Sequence, residues 1–131
     1  MNSHLETASR SRKRLRDLQE QERQLLDAIV SCRSLIKGSV YDLKTRCGKP
    51  SCVCAEGRRH SAMVVSWSEG GRTRIVTIQP GDLHRLIRLT GEYRNFRQAR
   101  AQLVKLQKEL LKEVDKLEAA LREEPPQASR S

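Results

Sequence analysis

Ala62-Met63-Val64-Val65-Ser66-Trp67-Ser68-Glu69-Gly70-Gly71-Arg72-Thr73-Arg74-Ile75-Val76-Thr77-Ile78 is the stretch whose reading decides the fold. Two β-branched or alternating runs, 62–67 and 72–78, flank Ser68-Glu69-Gly70-Gly71. The two glycines supply positive φ without steric cost, so the stretch reads as a β-hairpin. Val40 to Thr45 is a third run of this kind. A small antiparallel sheet is therefore expected within residues 37–80.

The period changes on both sides of this sheet. Before it, Leu15, Leu18, Glu22, Leu25, Ile29, Cys32 and Ile36 step alternately by three and four residues. That is the a/d seam of a coiled-coil-like helix with one polar interruption. The spacing predicts helix one over 10–36, stopped by Lys37-Gly38-Ser39. After the sheet, Pro80-Gly81 and Asp82 as N-cap open helix two, over 81–124. Its seam is Leu86, Leu89, Tyr93, Phe96, Arg100, Leu103, Gln107, Leu110, Val114, Leu117 and Leu121. From 82 to about 123 such a helix is roughly 63 Å long at about 1.5 Å per residue and needs a partner to be stable. Residues 1–9 and 125–131, polar and carrying Ser or Pro, read as disordered tails.

Composition sets further bounds. A chain of 131 residues with 37% hydrophobic and 3% aromatic content is too short for a two-domain enzyme and too poor in aromatics for a thick core. Lys and Arg number 26 against 16 Asp and Glu, a net charge of +10, of which residues 37–100 hold +8. This charge points to a polyanionic partner. The sequence has no apolar stretch near the roughly 20 residues that cross a bilayer and no secretory h-region at its start, so a cytoplasmic protein with no membrane association is expected.

Cys47, Cys52 and Cys54 form C-x4-C-x-C, and His60 follows. Three thiolates and an imidazole suit the soft, tetrahedral preference of Zn²⁺, and Gly48 and Pro50 permit the tight turn of a zinc knuckle. Cysteines one residue apart rarely meet disulfide geometry without strain. The fourth ligand is His60 or Cys32, the latter lying on the seam of helix one, where a thiol also serves as a small hydrophobe. With four soft ligands the zinc reads as structural. Lys49 is not followed by Ser or Thr and Leu43 occupies the place of the first P-loop glycine, so no phosphate loop is present. Asp42, Glu56, Glu69, Asp82 and Glu92 are too scattered to suggest a paired-carboxylate site. No enzyme is expected.

The run Tyr41-Asp42-Leu43-Lys44-Thr45-Arg46-Cys47-Gly48-Lys49-Pro50-Ser51-Cys52-Val53-Cys54, followed by Gly57, His60, Ser66-Trp67 and Tyr93-Arg94-Asn95-Phe96, resembles an uncharacterised prokaryotic family of small proteins with a Cys-Gly-Lys-Pro-x-Cys-x-Cys core. The resemblance spans roughly residues 36–100. The chain departs from it at Ser61-Ala62-Met63, where Gly-Pro and an aromatic are usual. Such proteins are often found near transposase or other mobile-element genes, which implies association with nucleic acid and carries no established reaction.

The expected fold class is thus α+β: two long helices forming an antiparallel coiled-coil hairpin that flanks a small zinc-stapled antiparallel sheet. Residues 109–123 would overhang the start of helix one, and Leu103, Leu110, Val114, Leu117 and Leu121 would form the seam of a homodimer. The expected function is a non-enzymatic, zinc-containing nucleic-acid-binding accessory protein for duplex DNA, with a recombinase or transposase as possible partner. Lys44, Arg46, Lys49, Arg58, Arg59, Arg72, Arg74, Arg85 and Arg88 are its phosphate-contacting candidates. The alternative is a coiled-coil adaptor with a structural zinc site and no physiological nucleic-acid binding. The basic run Arg10, Arg12, Lys13, Arg14 and Arg16 reads either as a stretch that tracks a phosphate backbone or, at least as well, as surface pairing with Glu109 and Glu113.

Overall fold

A computed structural model describes residues 3–45 and 60–127, with the side chains of 44, 45, 60 and 61 excepted. The elements are helix α1 (Ser3–Ser31), strands β1 (Ser39–Thr45), β2 (His60–Glu69) and β3 (Arg72–Thr77), a 3-10 turn (Pro80–Asp82) and helix α2 (Leu83–Leu121). They form two compact units, one of residues 1–31 with 98–131 and one of residues 32–97.

In the 32–97 unit the strands form an antiparallel meander in the order β1-β2-β3. The hairpin falls where the alternation and the glycines place it: Gly70 (φ 57°) and Gly71 (φ 79°) both take positive φ, as a tight two-residue turn requires. Val40, Val65 and Val76 share one face of the sheet, and Tyr41, Val64 and Thr77 the other. Val64 and Val65 are both buried, so the middle of β2 is covered on both sides. Ile78 closes the module, its N–H donating to Met63 O at 2.9 Å, and Ile36 N–H donates to Leu89 O on α2 at 3.0 Å. Buried Thr90 donates to Leu86 O at 2.7 Å, a back-bond that satisfies its hydroxyl within the helix.

In the other unit, α1 residues 14–25 lie beside α2 residues 102–116 with opposite chain sense. Leu25 shares a groove with Gln102 and Leu106, and Leu18 shares one with Lys112 and Glu113. The covered positions of α1 are Ala8, Ser11, Leu15, Leu18, Glu22, Leu25 and Ile29, the expected seam extended by two steps toward the N-terminus. Arg14 meets Glu109 at 3.2 Å, and both side chains are about half exposed, so the pair contributes at most about 1 kcal/mol. Arg23, bonded to Glu20 at 2.6 Å, holds the Glu20 carboxyl below its ordinary range through that hydrogen bond.

Several expectations are corrected. The helices do not form a hairpin flanking the sheet: α1 pairs with the 98–121 part of α2 in a unit of its own, while residues 83–97 of α2 belong with the strands. The sheet is not shown as zinc-stapled; its described part is held by backbone ladders, and among the described residues no group of three His, Cys, Asp or Glu could hold a metal. Helix α1 starts at Ser3 and stops at Ser31, five residues before Ile36, whose N–H is used on Leu89 O. Residues 109–121 do not overhang, because α1 reaches them through Arg14 and Leu18 and continues N-terminally with buried Ala8 and Ser11.

The seam of α2 also shifts. It runs through Leu86, Leu89, Tyr93 and Phe96 as expected, then takes a second three-residue step to Ala99 and continues as Leu103, Leu106, Leu110, Glu113, Leu117 and Ala120. Arg100 and Gln107 are exposed. The change places Leu106 inside instead of Gln107 and Ala99 instead of Arg100, avoiding the desolvation of two long polar side chains. It falls where the chain passes from one unit to the other.

Candidate nucleic-acid interface

The tight Gly70-Gly71 turn sets Arg72 opposite Glu69 and Arg74 opposite Trp67. With a side-chain period of two, these four residues share one face of the hairpin. Glu69 is the junction of this group: its Oε2 accepts a hydrogen bond from Trp67 Nε1 at 3.3 Å and lies 3.7 Å from Arg74 Nε. The Arg74 and Glu69 side chains are more than half exposed, so water weakens their attraction and a phosphate oxygen can compete for the guanidinium. Arg72 is exposed. All of β3 is exposed, including Ile75 and Val76, which are about half accessible.

The opposite face of the hairpin carries a feature that cation counting misses. Ser39 pairs with Ser66 and Ser68 with Thr73 across the ladders, so four hydroxyl-bearing residues stand side by side on three strands. They line one groove with Lys37, Gly38 and Tyr93. Hydroxyls, a phenol and an ammonium are the donors that position phosphates. The signal was present as Ser66-x-Ser68 at strand period, legible only once the register supplies Ser39 and Thr73.

On α2, Arg85 and Arg88 are exposed and lie 60° apart at 100° per residue, while exposed Arg94 is half a turn from Arg85. The helix arginines therefore do not form one stripe. Lys44 belongs to β1 and His60 to β2, and Thr45 and His60 are ladder partners. Cys47, Cys52, Cys54, Arg46, Lys49, Arg58 and Arg59 lie outside the described residues. Cys32 is partly covered, with its Sγ 3.8 Å from Ser34 O. Of the expected dimer seam, Leu103, Leu110 and Leu117 are partly covered, while Val114 and Leu121 are nearly half exposed.

Charge separates sharply between the units. Each contains 13 Lys and Arg, but the 32–97 unit has 5 Asp and Glu against 11 in the other, so it carries +8 and the helical unit +2. The segregation is made by where the acids are placed.

The fold and this surface define an α+β protein with a three-stranded meander and a basic sheet unit. The chain belongs to the family of the domain of unknown function DUF6788, whose model matches residues 15–88, more than half of its length. No curated protein and no solved structure matches it. Among the described residues no helix is long and apolar enough to cross a membrane.

Proposed function

We propose that the 32–97 unit binds nucleic acid, duplex DNA in the first instance, through phosphate contacts, and that the protein acts as a non-enzymatic accessory factor in the cytoplasm. The observation that carries the reading is the charge segregation: +8 of the net +10 lies in the unit that also presents Arg72, Arg85 and Arg88 and the hydroxyl groove. Phosphate contacts position a protein without reading bases, so modest sequence preference is expected. A link to transposition or recombination, with a recombinase as partner, rests on the resemblance of the Cys47–Cys54 core alone.

A zinc ion on Cys47, Cys52 and Cys54, with His60 or Cys32 as fourth ligand, belongs to the same proposal and is supported by donor chemistry and spacing. Metal analysis of the purified protein is expected to give about one zinc per chain; less than about half an equivalent removes it from the proposal.

Binding to a labelled duplex near physiological salt locates the surface. Arg72→Ala/Arg85→Ala/Arg88→Ala is expected to weaken binding at least tenfold, and Arg10→Ala/Arg12→Ala/Arg16→Ala to change it less than threefold, with the duplex left intact. Equal losses in the two variants would show that the sheet unit is not the site. Absence of binding at that salt would favour a protein partner instead.

A further inference from the structure

The 98–121 part of α2 carries a second apolar stripe that α1 does not cover. Val104, Leu111, Val114 and Leu121 are between 40% and 65% exposed. With Gln107 and Glu118 they step by three and four residues throughout, the signature of a coiled-coil seam. At 100° per residue this stripe lies about 100° around the helix from the covered one. The helix therefore has one occupied and one open apolar edge.

We propose that the open edge is the contact with a second copy of this chain, two α2 helices packing antiparallel about a two-fold axis midway between residues 112 and 113. Self-complementarity carries the choice of occupant. In that register Val104 of one copy faces Leu121 of the other, Leu111 faces Val114, and Gln107 faces Glu118, so each apolar residue meets an apolar one. The polar residues meet as amide and carboxylate, which can hydrogen-bond and so fix the register. Lys108 and Asp115 flank the stripe on the edge away from α1. The same axis brings Lys108 of each copy within two residues of the level of Asp115 on the other, two opposite-charge pairs from one sequence position each. The shallow depression lined by Val114, Leu117, Glu118, Leu121 and Arg122 receives the partner's Val104. Each helix contributes about 26 Å of seam. This is a different surface from the Leu103, Leu110, Leu117 edge, which faces α1, and it does not depend on nucleic-acid binding.

Sedimentation equilibrium of the full chain across a concentration series tests this. The wild type is expected at twice the 15.0 kDa of one chain at micromolar concentration. Leu111→Glu/Val114→Glu, which alters only exposed side chains, is expected to sediment as a monomer with unchanged helix content by circular dichroism. Asp115→Lys, which sets lysine against lysine, is expected to weaken association about tenfold, and Lys108→Asp/Asp115→Lys to restore it. A wild type that remains monomeric overturns the proposal. So does a dimer that survives Leu111→Glu/Val114→Glu, or one that the double charge swap fails to restore.

Discussion

Leu106→Ala and Gln107→Ala form the sharpest test of how the helical unit packs. Continuing the three-four period from Phe96 places Gln107 in the seam and Leu106 outside, and the structure reverses them, with Leu106 only 5% exposed. Shortening a buried leucine to alanine loses about 2 kcal/mol of transfer free energy, plus the penalty of any cavity that does not close. A layer of only two helices closes readily, so the expected loss lies near the lower end of the usual range, about 2–3 kcal/mol. For a chain of 131 residues, at about 4 °C per kcal/mol, this lowers Tm by about 8–12 °C. Gln107→Ala removes a side chain that α1 does not cover and improves helix propensity, so its effect on the single chain, read below the concentration at which chains associate, should stay within about 0.5 kcal/mol. Thermal and urea unfolding followed by circular dichroism, at one protein concentration, read both. A Gln107→Ala variant as damaged as Leu106→Ala, or a Leu106→Ala variant indistinguishable from wild type, would refute the shifted seam.

Other substitutions probe the sheet unit. A Cβ on Gly38 would stand 2.8 Å from Ser66 O, a backbone atom of β2, so Gly38→Ala should cost about 1–3 kcal/mol in urea unfolding. Full stability in that variant would contradict the close approach. At Gly71 (φ 79°) an added Cβ meets nothing within 4 Å, so the cost of Gly71→Ala is conformational alone, about 1–2 kcal/mol, and a variant as stable as wild type would deny the positive φ. For Glu20, the hydrogen bond from Arg23 favours the carboxylate; Arg23→Gln should raise its midpoint in an NMR pH titration toward the ordinary value. Any stability from this depressed carboxyl is present above the unfolded-state pKa and lost as pH falls through the folded one. An unmoved midpoint would dismiss the interaction.

The β2–β3 hairpin was legible in the sequence because both of its signals are local: the alternation of 62–67 and 72–78, and two glycines that permit positive φ. The α1 seam was equally legible from Leu15 to Ile29. Its N-terminal extension was missed because Ala8 and Ser11 are small and one is polar, yet they continue the same step and are buried. The α2 shift is not legible from a strict heptad continued past Phe96, although that continuation would bury Arg100 and Gln107, two long polar side chains that the structure leaves exposed. The placement of the helices relative to the sheet was not legible, since period identifies a covered face without naming its cover. For the interface, the excess of cations was plain in the composition. The hydroxyl row was not, because Ser39, Ser66, Ser68 and Thr73 are brought together only by strand register. Cys47, Cys52 and Cys54 remain a reading of spacing.

The most direct measurement is equilibrium binding of the zinc-supplemented protein to a labelled duplex across a salt series, with Arg58→Ala/Arg59→Ala/Arg72→Ala/Arg74→Ala alongside. Submicromolar affinity near physiological salt, a log–log slope of about −4 to −7, and a shallower slope in the variant are the results predicted for a unit that neutralises several phosphates. Affinity that collapses at that salt, with the variant matching wild type, would contradict the account and leave the positive charge a matter of solubility.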